Sequence, residues 1–163
     1  MRYHKEEGAM ESQTFALDPS RWGGARVLLA EDDDLTRDAL CCVLRRDGHR
    51  VIVARDGLEL LGLVAVDLVI PREPPPFDLI VCDVVLPGVS GLEILAGLHS
   101  AGSVTPFIVM TAYGTPEMKQ AALRDGAAFF LEKPFELQDF RAAVSTLLEP
   151  QWVRDSARGA LTA

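Results

Sequence analysis

Three stretches of this chain are apolar without a break: Val27-Leu28-Leu29-Ala30, Leu79-Ile80-Val81-Cys82 and Phe107-Ile108-Val109-Met110. A strand with one wet face alternates apolar and polar residues, whereas a strand covered on both faces does not. These runs therefore predict central strands of a sheet with helices above and below. Each is short, and each leads through turn-forming residues into a segment of helical period. Strand and helix in alternation imply parallel strands joined by right-handed crossovers.

The remaining elements follow the same order. The spacing of Leu35, Ala39, Leu40, Val43 and Leu44 predicts a helix from Leu35 to Arg46, stopped by Gly48. Arg50 to Ala54 alternates as a strand. Asp56 opens a second helix, with Glu59 at capping-box spacing and Leu60, Leu61, Val64 and Leu68 as its apolar face. Pro71 and Pro74-Pro75-Pro76 forbid further helix and form a stiff connector into a strand from Asp78 to Cys82. Ser90, with Glu93 three residues on, predicts a full capping box for a third helix, Leu92 to Leu98. Thr115 is an N-cap with Pro116 in the first helical position, and Gly126 closes this fourth helix. Ala128 to Leu131 is a fifth strand, and Glu136 to Leu148 a last helix that ends near Pro150. The fold class is α/β, a doubly wound five-stranded parallel sheet with strand 1 central and strand 3 beside it. Residues 1–24 are polar and aperiodic and are read as a flexible leader. Residues 25–149 form the domain, and residues 150–163, with Trp152, Arg154 and Arg158, a tail or linker stub.

Length and composition narrow the function. With 163 residues, 48% of them hydrophobic, the chain suits one domain with a true core. The net charge is −8 and no basic stripe appears, which argues against direct nucleic-acid binding. The cysteines Cys41, Cys42 and Cys82 are odd in number and lie inside regular elements. They are read as reduced core thiols of a cytoplasmic chain. No apolar stretch approaches membrane-spanning length, and the polar start Met1 to Glu7 is no signal peptide.

The chemistry sits where the strands end. Asp83 follows Cys82, Glu31-Asp32-Asp33-Asp34 follows Ala30, Thr111 follows Met110, and Lys133-Pro134 follows the fifth strand. Parallel strands bring these ends to one edge, where open α/β sheets hold their ligands. Asp32 and Glu31 then lie near Asp83. Two unit charges about 4 Å apart repel by roughly 4 kcal/mol at an effective dielectric near 20. A divalent cation removes that cost. An all-oxygen donor set with room for water suits Mg²⁺, or Mn²⁺ as a substitute, and the lack of converging His or Cys disfavours zinc. Asp83 can then act as a nucleophile toward phosphorus, with Lys133 as a point charge and Thr111 as a hydroxyl donor to phosphate oxygens. Each residue also has a plainer reading. The acidic run is a cluster favoured by a helix dipole, Asp83 a turn former, Thr111 a cap and Lys133 a solvated surface lysine. Their coincidence on successive strand tips is what points to a site.

With these residues in order, the chain resembles the receiver domain of bacterial two-component response regulators. The matching segments are VLLAEDD at 27–33, DLIVCDVVLPGVSGLEIL at 78–95, PFIVMTAYG at 106–114 and GAAFFLEKPF at 126–135. The resemblance implies a flavodoxin-like (βα)5 fold with strand order 2-1-3-4-5. It implies that Asp83 is the phosphoacceptor and that Asp32 is a Mg²⁺ ligand with Glu31 as companion acid. The backbone carbonyl of Val85 would complete the metal shell. Thr111 falls on the switch hydroxyl, Phe130 on the switch aromatic, and Lys133 on the phosphate-contacting lysine, with a cis bond to Pro134. It further implies a sensor histidine kinase or phosphotransfer protein as donor, and output through the fourth helix, fifth strand and fifth helix. The output partner or effector domain is not identified.

Two departures from the family pattern stand out. The segment between Gly57 and Asp83 is longer than usual and rich in proline, so the second helix or its connector is extended. Ala128-Phe129 stands where receivers that pair through their last face carry an acidic pair. Two other functions are weighed. A Mg²⁺-dependent aspartyl-phosphate phosphohydrolase would need a second acid two residues past its nucleophile, where this chain has Val85. A pseudo-receiver that only binds partners would not need the acids, Thr111 and Lys133 together. The chain is thus read as a switch that catalyses only its own phosphorylation and dephosphorylation. Val85 and Tyr113 supply no group to orient water, which predicts slow loss of phosphate with Tyr113 as a shield.

Overall fold

The structure, a computed structural model, describes residues 24–69 and 74–148, with the side chains of residues 67 and 68 outside that description. The leader, the tail with Trp152, Arg154 and Arg158, Pro71 and the side chain of Leu68 lie outside the described residues. Five strands alternate with five helices: β1 (Arg26–Ala30), α1 (Asp34–Arg46), β2 (Arg50–Ala54), α2 (Gly57–Val69), β3 (Leu79–Asp83), α3 (Gly91–Ser100), β4 (Phe107–Thr111), α4 (Pro116–Arg124), β5 (Phe129–Glu132) and α5 (Leu137–Leu148). The strands form one parallel sheet in the order β2-β1-β3-β4-β5.

The unbroken apolar runs become the middle of this sheet, and their alternate residues face opposite ways. Leu28, Ala30, Ile80, Cys82, Phe107 and Val109 pack on one side with Leu60 and Val64 of α2, Ile94, Leu95 and Leu98 of α3 and Ala122 of α4. Val27, Leu29, Leu79, Val81, Ile108 and Met110 pack on the other with Leu40, Cys41 and Leu44 of α1 and Phe140, Ala143 and Val144 of α5. Each large aliphatic side chain so covered contributes about 1.5–3 kcal/mol by leaving water. The register pairs Cys82 with Val109 and Asp83 with Met110. The strand tips therefore end level, along one edge.

Helix starts follow the capping residues. Ser90 and Glu93 close a reciprocal capping box on α3. Thr115 accepts from the Met118 amide at 3.1 Å ahead of Pro116. Asp33 accepts from the Thr36 amide at 2.8 Å and is the N-cap of α1. At α2, Asp56 accepts from Glu59 N at 2.7 Å, but the Glu59 carboxylate reaches the amide of Arg55, at 2.8 Å, not that of Asp56. The box is shifted by one residue at its return bond.

Several expectations need correction. Leu35 is 81% exposed and Ala39 is exposed as well, so the buried face of α1 is narrower than its apolar residues suggest. Arg37 lies on the buried side instead, 7% exposed. The reason is electrostatic: its guanidinium finds acceptors in the acidic loop, as described below. Cys41 and Cys82 are core thiols, but Cys42 is exposed, one helical position round from the buried stripe. β4 runs one residue further than expected, and β3 and β5 are shifted by one, to Leu79–Asp83 and Phe129–Glu132, so Asp83 and Thr111 are themselves strand residues.

Candidate functional site

The tip of β3 delivers Asp83, 6% exposed, to the carboxyl edge of the sheet. Beside it, the tip of β1 delivers Glu31, 1% exposed, and the exposed Asp32. One oxygen from each of Glu31, Asp32 and Asp83 lies within 4.8 Å of the others. From the far side of the sheet, Lys133 places its ammonium 2.7 Å from Glu31 Oε2 and in a short hydrogen bond to Asp83 Oδ2. The cis peptide Lys133-Pro134 follows β5, as the resemblance implies.

The electrostatics of this cluster follow from burial. Loss of water pushes the Glu31 carboxyl above its ordinary pKa, against the pull of the Lys133 hydrogen bond and charge. Burial alone would lower Lys133, but its bonds to Asp83 and Glu31 outweigh that and raise it. The ammonium thus sits among the acids as a resident counter-charge.

The loops around the cluster are fitted closely. Val85 N donates to Asp83 Oδ1 at 2.8 Å, which fixes the rotation of the carboxylate. Val84 N donates to Met110 O, and Ser90 Oγ to Val84 O at 3.2 Å, which tie the loop to β4 and α3. At Gly91 a Cβ would lie 2.4 Å from Asp83 O and 2.6 Å from Cys82 Sγ, so only glycine lets α3 start this close to the acid. Burial raises the Cys82 thiol well above its usual range, and its Sγ donates to Asp83 O at 3.0 Å.

Thr111, fully buried, lies one residue beyond the partner of Asp83 on the neighbouring strand. Its Oγ1 accepts from Tyr113 N at 3.1 Å, so the plainer reading of a turn-capping hydroxyl also holds in this state. Phe130 is not in the cluster. It is half-buried on β5, packed on the α2–α3–α4 side of the sheet beside Gly114, where a Cβ would lie 3.2 Å from its ring. The Tyr113 ring stands 73% exposed.

The four acids of the first loop divide their work. Glu31 and Asp32 face the cluster, Asp33 caps α1, and Asp34 pairs with Arg37. Arg37 was not anticipated as a site residue. Its NH1 donates to Glu31 O at 3.0 Å and to Asp32 O at 3.2 Å, so a buried guanidinium holds the backbone that carries both acids. The only trace in the sequence is an arginine three residues after Asp34.

An all-oxygen cluster with one solvent-facing member matches the donor chemistry of Mg²⁺ or Mn²⁺, while among the described residues no imidazole or thiol joins it as a donor. Fold and cluster together define an α/β domain with an acidic cluster and a lysine at the carboxyl edge of its sheet.

Known proteins show the same arrangement of elements. A family model, response regulator receiver domain, matches residues 27–145. The response regulator MprA of Mycobacterium leprae (strain TN) is 36% identical over 132 residues, which cover 81% of this chain and 54% of that protein. The response regulator protein PmrA of Pseudomonas aeruginosa is 38% identical over 122 residues, 75% of this chain and 52% of that protein. Among solved structures, the non-phosphorylated HemR receiver domain of Leptospira biflexa is 28% identical, with a TM-score of 0.68 over 78% of this chain and 96% of that one. A response regulator from Burkholderia pseudomallei, solved with a phosphorylated aspartic acid, calcium and citrate, is 26% identical, with a TM-score of 0.62 over 84% of this chain and 74% of that one. The chain belongs to the response regulator receiver family, and it spans about half the length of the curated relatives it matches. Among the described residues, no helix is long and apolar enough to cross a membrane.

Proposed function

We propose that this receiver accepts a phosphoryl group on Asp83 in a divalent-cation-dependent reaction and uses it to switch partner binding. The observation that carries the reading is the meeting of Glu31, Asp32 and Asp83 within 4.8 Å, with Lys133 bridging two of them. Three acids and a lysine at the carboxyl edge have no need to converge for stability alone. The Burkholderia relative with a phosphorylated aspartate supports the assignment.

Asp32, Asp83 and the Val85 carbonyl would hold Mg²⁺, or Mn²⁺, with Glu31 as companion acid. The cation supplies charge neutralisation on the phosphoryl oxygens when bound. Asp83 Oδ attacks phosphorus, the P–N bond of a donor phosphohistidine breaks, and its electron pair returns to the imidazole. The product is an acyl phosphate on Asp83. The Val85 amide already orients that carboxylate. Lys133 exchanges its bond to Asp83 for one to a phosphate oxygen, and Thr111 releases the Tyr113 amide to donate to another. Phe130, half-buried beside Gly114, then moves inward, which alters the face made by α4, β5 and α5. The donor is a sensor histidine kinase or a phosphotransfer protein, and the reaction takes place in the cytoplasm. The domain spans residues 25–149, with its output delivered to a separate partner or effector domain. It turns over no external substrate beyond its own phosphorylation and dephosphorylation.

The test is stoichiometry. With Mg²⁺ and acetyl phosphate, the receiver should carry no more than one phosphoryl group per chain. Continuous phosphate release from varied monoesters would instead identify a phosphohydrolase.

A further inference from the structure

The outer face of α2 differs from that of every other helix. α1, α3, α4 and α5 turn charged or polar residues outward: Asp38 and Arg45, Glu93 and His99, Glu117 and Lys119, Gln138 and Arg141. α2 instead exposes Leu58 (63%), Leu63 (37%), Val66 (55%) and Val69 (78%), together with Gly62 and Ala65. Glu59 is the one charged side chain described on that face.

The spacing of these residues is specific. Leu58, Gly62, Ala65 and Val69 follow one another at intervals of four, three and four. That is the seam spacing by which one helix receives another. The seam also reads the same from both ends, as large, small, small, large. An antiparallel copy sets Leu58 against Val69 and Gly62 against Ala65, with the small residues at the centre, where the helices approach most closely. Val66 lies beside the seam, with Leu63 beyond it on the same side.

Charge favours the same partner and the same direction. The chain carries −8, so contact between two copies over most of their surface is repulsive. Among the described side chains, the α2 face is the nearly uncharged exception. Antiparallel packing sends the two Glu59 side chains to opposite ends of the seam, whereas parallel packing sets them side by side. We propose that the outer face of α2 is a self-association surface, on which a second copy docks antiparallel about a two-fold axis between Leu63 and Val64.

The helix has 13 residues and is about 20 Å long, so the contact falls short of the roughly 800 Å² per partner of a standard interface. Association is therefore weak and rises with local concentration. The inference does not depend on phosphorylation of Asp83.

Substitution at the seam is a clean probe. A Cβ at Gly62 meets nothing within 4 Å, and Ala65 is exposed, so both sites accept longer side chains without disturbing the core. Sedimentation equilibrium from about 10 µM to about 1 mM should show monomer and dimer in exchange for the full chain. Ala65→Lys and Gly62→Glu, each alone, should weaken the dimer at least tenfold with no loss of monomer melting temperature. Mixing the two variants should restore dimer as a heterodimer, because the new ammonium then faces the new carboxylate. A wild-type chain that stays monomeric throughout overturns the proposal, even where the stripe captures a helical peptide of another protein. A dimer unaffected by either substitution places the contact elsewhere and overturns it too. Failure of the mixture to recover contradicts the antiparallel register.

Discussion

Lys133 is 102 residues from Glu31 in the chain, yet its ammonium lies 2.7 Å from the Glu31 carboxylate. The same ammonium bonds Asp83, so one cation joins the tips of β5, β1 and β3. Both acids are nearly buried, and each needs that partner. Lys133→Met should leave two buried carboxylates without a counter-charge and destabilise the domain by about 3 kcal/mol. Added Mg²⁺ should recover part of the loss. Urea unfolding of wild type and variant, with and without the cation, measures both effects.

Divalent cation should stabilise the native state alone. At ten times its dissociation constant the gain is about 1.4 kcal/mol, a rise of a few degrees in melting temperature. Asp32 is exposed and faces the cluster, so Asp32→Asn should abolish the gain without lowering the cation-free melting temperature, since it also removes a charge that repels the other acids. A variant that responds to Mg²⁺ as fully as wild type contradicts the role given to Asp32.

Arg37 holds the Glu31 and Asp32 carbonyls from below. Arg37→Ala should cost about 1–3 kcal/mol through the lost hydrogen bonds. It should also weaken cation binding, although Arg37 donates to no carboxylate of the cluster. Mn²⁺ titration by calorimetry on the folded variant separates this from simple destabilisation.

The Asp47–Arg141 pair joins the end of α1 to α5 through bonds of 2.8 and 2.6 Å. The Arg141 hydrogen bond holds the Asp47 carboxyl below its usual range. A depressed acid adds stability that is present above its unfolded pKa and lost as pH falls through its folded one. Wild type should therefore exceed Arg141→Gln in stability at neutral pH, and the difference should shrink as pH drops below about 4. Denaturant unfolding across that range checks the sign.

The acyl phosphate on Asp83 should be long-lived, because Val85 carries no group to orient water. The exposed Tyr113 ring must fold over the site to shield it. Val85→Asn should raise the rate of phosphate loss about tenfold, equal to about 1.4 kcal/mol of barrier. Unchanged decay kinetics in that variant count against this explanation of lifetime.

The sheet was legible because Val27 to Ala30, Leu79 to Cys82 and Phe107 to Met110 carry apolar residues for both faces, a pattern few other structures require. The capping residues Ser90 and Thr115 likewise placed α3 and α4. Local pattern misled at α1, where Leu35 and Ala39 look like core and Arg37 like surface. That inversion depends on carbonyls presented by the preceding loop, which periodicity does not record. Cys42 was misjudged for a related reason, since a single helical step separates buried from exposed. Of the cluster, Glu31, Asp32 and Asp83 were visible as strand-end acids, and Lys133 as the lysine that follows the fifth strand. The closeness of Gly91 to Asp83 O was not legible, because it arises from how α3 packs on the tip of β3.

Whether Asp83 is the acceptor is decided by where the phosphoryl group goes. The receiver is treated with Mg²⁺ and acetyl phosphate, and the modified residue is mapped by mass spectrometry of its peptides. One phosphoryl group is expected on Asp83, absent in Asp83→Asn and absent when the cation is chelated. Phosphate on another residue, or equal uptake by Asp83→Asn, would contradict it.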